Sequence, residues 1–408
     1  MLKLFSFAGT GHYQQATYEW GERSLATPFI CQALSSWLEP EEIFVVMTPT
    51  AERHENWRSL QSAVPGVRAL RIPEPGSESA LWEIFRTLSE AITPHDEIII
   101  DVTHAFRALP LIALASASYV QTLTGAKIRH ILYGAWEARD QDSGRCPVYD
   151  LGLFLRLQEW TLAAAILKQT GDSRLFGRLL SDIQNDFQSR RSEAENGALP
   201  TRLKSAGAAL DSLSKALALT RPDEIALALP ELFRRLDQAS GQFDRWAAPF
   251  SQALTVIKET YSPLAGGTLA SEFCLIQWYA EREHPLQAVT LAREWIVSCT
   301  AAHLGFAGQR HRSDREPVEN MLNHATIRRA EEIRGIPSPL LPAFDALPCA
   351  EVLERTWGRV RDLRNDLAHC GMNERPASAA SALKGVRNLL NLMKEIPLPL
   401  TSSAETGE

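Results

Sequence analysis

Residues 96–102, DEIIIDV, carry three isoleucines in a row. Successive side chains of a strand point to opposite faces, so such a run buries both faces and needs cover on each. The surrounding chain supplies that cover. LKLFSF, EIFVVM, ALRIP, AKIRHILYG and CPVYDLG read as further strands, and TPFICQALSSWL, SALWEIFRTLSEAI and LIALASASYVQTL repeat apolar residues at helical spacing. Buried strands alternating with helices of this length indicate a mostly parallel sheet with helices on both faces. Residues 1–155 are therefore expected to form a Rossmann-like α/β domain.

Beyond residue 155 the strand signals stop. FLRLQEWTLAAAILKQTG and SRLFGRLLSDIQNDFQSR are helical by periodicity, with Gly171 as a stop signal between them. RRSEAENGALP reads as a loop, and more helical stretches run to about residue 262. SPLAGGT then looks like a hinge into a last unit. There LASEFCLIQWYAERE, PLQAVTLAREWIVSCTAAHLG, VLERTWGRVRDLRNDLAHCG and ASAASALKGVRNLLNLMKEI read as four helices around the Pro-rich loop GIPSPLLPAFDALP. The expected class is α/β plus all-α: residues 1–155, a helical connector at 156–265, a helical domain at 266–398, and a disordered tail at 399–408.

A net charge of -7 opposes a chain coated for non-specific nucleic-acid binding, so any RNA contact has to be local. The six cysteines form no C-x-x-C pair and read as small buried hydrophobes in a reducing compartment. No stretch reaches the ~18 uninterrupted apolar residues of a membrane helix, and the first residues read as a strand rather than a signal peptide. The expectation is a soluble cytoplasmic protein. His303, His311 and His324 lack metal-ligand spacing, GQRHRSDRE reads as a solvated basic loop, and no metal or cofactor is expected.

In open parallel sheets, ligands sit outside the carboxyl ends of the strands. Three such ends carry small polar residues here. Gly9, Thr10 and Gly11 allow close backbone approach to a phosphate. Thr48, Pro49 and Thr50 offer two hydroxyls, and Asp101, Thr103, His104 and Arg107 lead into a helix N-terminus suited to an anion. Gly and Thr also serve as plain turn and cap residues, but DVTHAFRALP holds more polar chemistry than a cap requires. GTGHYQ lacks the third glycine of the dinucleotide fingerprint, which disfavours a nicotinamide enzyme.

FAGTGHYQQATY, DVTHAFRALP and VYDLGLFLRLQEW together resemble the D-x-T-H-G-motif family of CRISPR-associated proteins, whose N-terminal unit is a CARF domain. The resemblance covers about the first 170 residues and is most specific in DVTHAFR, where Ala105 replaces the family's glycine and puts the turn geometry in question. It implies a homodimer that binds a cyclic oligoadenylate, often cyclic tetra-adenylate, made by a type III CRISPR complex. The implied ligand loops are Gly9 to Gly11, Thr48 to Thr50 and Asp101 to Arg107. A ring of even symmetry suits a dimer axis, each protomer giving the same loops to half of it.

Residues 363–371, LRNDLAHCG, place Arg364, Asn365 and His369 within two helical turns, with Arg361 one turn earlier. A solvated helix face with i, i+4 ion pairs would look much the same. In this setting, RNDLAH resembles the RNase motif of the HEPN family, matched at Arg364, Asn365 and His369. That chemistry needs few groups, because RNA supplies its own 2′-OH nucleophile. An imidazole moves protons near neutral pH, a guanidinium stabilises charge on the phosphate, and an amide orients either partner. One imidazole cannot readily be both acid and base in one turnover, so a composite dimer site is expected.

Together the two resemblances imply a metal-independent endoribonuclease of type III CRISPR antiviral defence. A cyclic oligoadenylate would activate it, and it would cut single-stranded RNA to 2′,3′-cyclic phosphate and 5′-OH ends. Coupling would run through residues 155–265, and neither DNA nor membrane is expected as a partner. The alternatives are a non-catalytic sensor, a sensor that also degrades its activator through Thr10 or Thr50, and an unrelated α/β nucleotide-binding enzyme.

Overall fold

The computed structural model describes residues 1–104, 109–189, 199–306, 312–329, 338–372 and 376–399. The chain forms two compact units, Met1–Glu159 and Trp160–Glu408.

In the first unit the elements are β1 (Leu2–Phe7), β2 (Ala16–Trp20), β3 (Arg23–Thr27), α1 (Ile30–Leu38), β4 (Glu42–Met47), α2 (Pro49–Arg53), α3 (Glu55–Ala63), β5 (Arg68–Arg71), α4 (Glu78–Glu90), β6 (Glu97–Asp101), α5 (Leu109–Thr124), β7 (Lys127–Gly134) and β8 (Arg145–Asp150). Among the described residues the strands form one sheet in the order β3-β2-β8-β7-β6-β1-β4-β5. The run β7-β6-β1-β4-β5 is parallel throughout, with Leu4 opposite Ile99 and Phe5 opposite Phe44.

The alternation of side chains divides the interior in two. Leu4, Val45, Ile99 and Leu132 join α1 and α3 on one face. Phe5, Phe7, Val46, Ile98, Ile100 and Ile131 join α4 and α5 on the other. The three isoleucines of β6 thus serve both layers, as a doubly covered strand must. At the amino edge of the sheet, Lys3 Nζ lies 2.7 Å from Asp96 Oδ2, with both groups buried. Thr93 donates its N–H and its hydroxyl to the same carboxylate at 2.7 Å, so the buried charges are paired and bonded.

β2 and β3 form a hairpin turned at Gly21, which has φ 60°; the sequence reading did not foresee it. Nor did it foresee helices in TPTAERHENW, where Thr48 caps α2 and His54 caps α3.

The second unit is helical. Its elements are α6 (Leu153–Thr170, which begins in the first unit), α7 (Arg174–Ser189), α8 (Leu203–Ala218), α9 (Pro222–Trp246), α10 (Ala248–Tyr261), α11 (Leu269–Glu281), α12 (Pro285–His303), α13 (Arg312–Arg329), α14 (Leu341–Asp345), α15 (Ala350–Ala368) and α16 (Ala379–Lys394). Among the described residues, a hydrophobic cluster takes in side chains from Trp160 to Ile396 on both sides of residue 265. The last part holds more than the four expected helices. Residues 312–329, whose start reads as a basic loop, are α13, and α14 lies inside the Pro-rich stretch.

Gly171 ends α6 as expected, at φ 73°. α7 and α8 touch backbone to backbone: a Cβ on Gly177 would stand 2.6 Å from the Gly207 carbonyl oxygen. Four cysteines are buried, but Cys370 is exposed and Cys274 only half-buried, which corrects the expectation that all are core residues. Burial pushes the Cys31 thiol up to about 12, aided by Asp101, so it remains a neutral core group. No described helix is long and apolar enough to cross a membrane. The expected loop at 190–198 and the tail beyond Pro399 lie outside the described residues.

Candidate functional sites

β1 has β4 on one side and β6 on the other, so chain connections leave it in opposite directions. Ligands of open α/β sheets bind at such a switch point, outside the carboxyl ends of the strands. The loops after β1, β4 and β6 are the three singled out from sequence.

The loop after β6 is built from inside. Asp101 is fully buried; one carboxylate oxygen accepts from Ser6 Oγ at 2.5 Å and the other from Thr103 N–H at 2.9 Å. Asp101 therefore braces the turn. Thr103 in turn accepts from Gly134 N–H at 2.8 Å, which ties the loop to the end of β7. The sequence reading grouped Asp101 and Thr103 with the ligand residues, and both face these internal partners. Arg107 lies outside the described residues.

His104 stacks on Tyr13, with ring centroids 4.0 Å apart and planes 18° from parallel. Among the described residues its Nε2 is buried without a hydrogen-bond partner. Burial lowers the His104 pKa, against an opposing pull from Asp101, so near neutral pH the ring is uncharged.

The loop after β1 is held by two residues that sequence reasoning passed over. Tyr13 Oη accepts from Gly9 N–H at 2.7 Å. Asn56, on α3, donates from Nδ2 to Gly9 O at 2.9 Å and to Gly11 O at 2.8 Å. Thr10 stands exposed between these anchors. Tyr13 adjoins the AGTGH turn and could have been noted there. Asn56 lies 45 residues from Gly11 in sequence, and nothing local links them.

At the end of β4, Thr48 caps α2 through Ala51 N–H at 3.4 Å, and Pro49 occupies its first turn. Thr50 N–H donates to Glu74 Oε1 at 3.2 Å. Hydrogen bonding from Thr50, with help from Thr48, holds the Glu74 carboxyl below its usual range.

In the second unit, α15 carries the Arg-Asn-His group at its carboxyl end. Arg364 is half-buried while Asn365 and His369 are exposed, and Arg364 Nη1 lies 3.4 Å from Asn365 Oδ1. His369 is the residue on which the helix ends, not one within its run. Its N–H donates to Asn365 O at 3.0 Å, then Cys370 N–H to Leu367 O and Gly371 N–H to Asp366 O at 3.2 and 2.8 Å. Cys370 and Gly371 have φ 56° and 69°. This is a Schellman closure, which satisfies the last carbonyls and turns the chain away.

Behind the motif, Leu353, Trp357, Val360 and Leu363 bury the helix in the core. Trp357 Nε1 donates to Asn323 Oδ1 of α13 at 2.9 Å. Arg364, Asn365 and His369 therefore share the exposed end of a helix whose other face is fixed. Among the described residues, no cluster of three or more His, Cys, Asp or Glu side chains is arranged to hold a metal ion. His303 Nε2 lies 2.9 Å from Pro397 O, His324 Nδ1 is buried, and His311 is outside the described residues.

A mostly parallel sheet covered on both faces, with polar loops gathered at its switch point, defines the class: an α/β domain of the kind that takes ligands outside the carboxyl ends of its strands. Residues 3–137 match the family model described as the CARF domain of CRISPR system endoribonuclease Csx1. Over 129 residues the chain is 26% identical to a CRISPR-associated protein of Methanocaldococcus jannaschii, covering 31% of this chain and 20% of that protein. The chain thus matches about a fifth of the length of this curated relative. The N-terminal unit belongs with the CARF domains of CRISPR-associated proteins, and a predominantly helical unit follows it.

Proposed function

We propose that the protein is a ribonuclease of type III CRISPR defence, switched on by a cyclic oligoadenylate bound at its CARF domain, with cyclic tetra-adenylate the favoured ring. The observation that carries this reading is the pairing of two features in one chain. Residues 3–137 match a CARF model taken from an endoribonuclease, and Arg364, Asn365 and His369 meet on the exposed end of α15. The domain line at 265–266, the HEPN assignment of residues 266–398 and the homodimer belong to the same proposal.

In the sensor, the Gly9–Gly11 loop, Thr48–Thr50 and His104 meet the ring, with Asp101 and Asn56 setting the loops from behind. Arg107 is assigned a phosphate of the ring. In the nuclease, the 2′-OH attacks the adjacent phosphorus and the P–O5′ bond breaks. That leaves a 2′,3′-cyclic phosphate and a 5′-OH. His369 of one protomer takes the 2′-OH proton, and His369 of its partner gives a proton to the departing O5′. Arg364 stabilises charge on the non-bridging oxygens, and Asn365 orients the phosphate. No step in this scheme draws on a metal. The ligand acts by population shift, favouring the arrangement in which both nuclease sites are competent.

The test is cleavage of labelled single-stranded RNA in EDTA, with and without cyclic tetra-adenylate, by wild type and His369→Ala. Ligand-dependent cutting to cyclic-phosphate ends, lost in the variant, is expected. Ends carrying 3′-OH would overturn the chemistry. Tight ring binding without any cutting would leave a sensor that does not cleave.

A further inference from the structure

We infer that Arg361 is a second RNA-contacting arginine, holding the phosphate next to the one that is cleaved. The inference rests on the nuclease reading and adds a subsite to it. α15 carries four arginines: Arg355, Arg359, Arg361 and Arg364. Two of them lie against α16 or the turn beyond it. Arg355 Nη2 bonds Glu395 at 2.5 Å, and Arg359 reaches over Gly385, where a Cβ would stand 3.4 Å from its Nη2.

Arg361 lies elsewhere on the helix. At about 100° per residue it sits roughly 40° from Asn365, 60° from Arg364 and 20° from Ala368. Arg355 and Arg359 are about 120° and 160° away by the same measure. Arg361 therefore shares the edge that carries the motif. Its neighbours along that edge, Gly358 and Ala368, are small, and Gly358 faces Thr326 of α13, where a Cβ would stand 3.3 Å from Thr326 Cγ2. The side chain is 37% exposed, and among the described residues its polar contact is with the adjacent Asp362, at 3.4 Å from both Nε and Nη2. That distance lies beyond a good hydrogen bond, and an exposed pair of this kind is worth little. A phosphate offers the same guanidinium a bidentate partner.

Spacing supports the assignment. Four residues of helix rise about 6 Å, comparable to the step between successive phosphates on an extended strand. A strand with its scissile phosphate at Arg364 and Asn365 and running along α15 brings its next phosphate to Arg361. Arg361 would then grip substrate without acting on the reacting atoms, and would favour an internal bond over the bond of a dinucleotide.

The experiment compares full-length wild type, Arg361→Ala, Arg361→Lys and Arg359→Ala with cyclic tetra-adenylate in EDTA. The substrates are a dinucleoside monophosphate and the same unit extended at both ends. On the extended substrate, Arg361→Ala is expected to raise KM about tenfold with kcat held within twofold. The slope of log KM against log salt should fall by about 0.7, the value for one single-strand phosphate. On the dinucleoside monophosphate it should change nothing. Arg361→Lys should keep most of the affinity, and Arg359→Ala should behave as wild type.

Equal losses on both substrates, a loss confined to kcat, or no loss at all would overturn the assignment. Fluorescence anisotropy of labelled RNA on His369→Ala, with and without Arg361→Ala, separates this idea from the nuclease reading. A tenfold loss of binding supports the contact even if wild type cuts nothing. Unchanged binding refutes it.

Discussion

Asn56→Ala removes the side chain that joins α3 to the loop after β1. Its Nδ2 donates to Gly9 O at 2.9 Å and Gly11 O at 2.8 Å, and each such bond contributes about 0.5–1.5 kcal/mol net. The two carbonyls belong to a partly exposed loop and can turn to water, so the low half of the range applies, about 1–2 kcal/mol for the pair. α3 itself should persist, because its cap runs from His54 Nδ1 to the Asn56 backbone N–H. The loss therefore falls on the loop's order before ligand arrives. If released loop forms do not bind, affinity for cyclic tetra-adenylate drops by up to the same free energy, a ceiling of roughly 5- to 30-fold. Isothermal titration of wild type and Asn56→Ala measures it, with thermal unfolding as a check on the rest of the chain. Asn56→Asp should be at least as damaging, since it sets a carboxylate against two carbonyl oxygens. A dissociation constant within twofold of wild type would show that the clamp does not prepare the site.

Two more outcomes follow from the geometry. Gly171→Ala is expected to destabilise the helical unit by upward of about 3 kcal/mol, because a Cβ there would stand 2.0 and 2.2 Å from ring atoms of Trp278 at φ 73°; an unchanged denaturation midpoint would refute this. His104 is held below its ordinary pKa by burial, so the unfolded chain takes up its proton first as pH falls. Its contribution to stability is present above about pH 6.5 and lost as acid carries the pH through its lower folded value. Hydrogen exchange of the β1 and β6 amides between pH 7.5 and 5 should show protection falling, and His104→Gln should flatten that part of the profile.

Much of the fold is legible in sequence where the signal is local. β1, β4 and β6 announce themselves because strands buried on both faces are mostly apolar, Lys3 and Ser6 of β1 being buried with polar partners, and Gly171 marks a helix stop. The β2–β3 hairpin was hidden, since ATYEW alternates polar and apolar residues over only five positions. α13 was hidden by its charge, carrying RSDRE in its first turns and a proline at 317. The three strand-end loops and the Arg-Asn-His motif were visible as clusters of residue types. Their anchors were not. Asn56, Ser6 and Glu74 act across 45, 95 and 24 residues of chain, and only the folded sheet brings them to the loops. That His369 ends the helix was signalled by Gly371 alone.

The manner in which α15 stops has an electrostatic consequence. The carboxyl end of a helix carries roughly half a negative charge, spread over its last carbonyls. Asp362 and Asp366 add to it within the last two turns. A polyanionic strand approaching His369 thus meets a repulsive field, unlike a phosphate at a helix amino terminus. The backbone offers it no donors either, since the closing turn consumes the N–H groups of His369, Cys370 and Gly371. Attraction has to come from guanidinium groups on the side of the helix. Replacing one of them by a neutral side chain would remove a partner for phosphate and also leave that field less opposed.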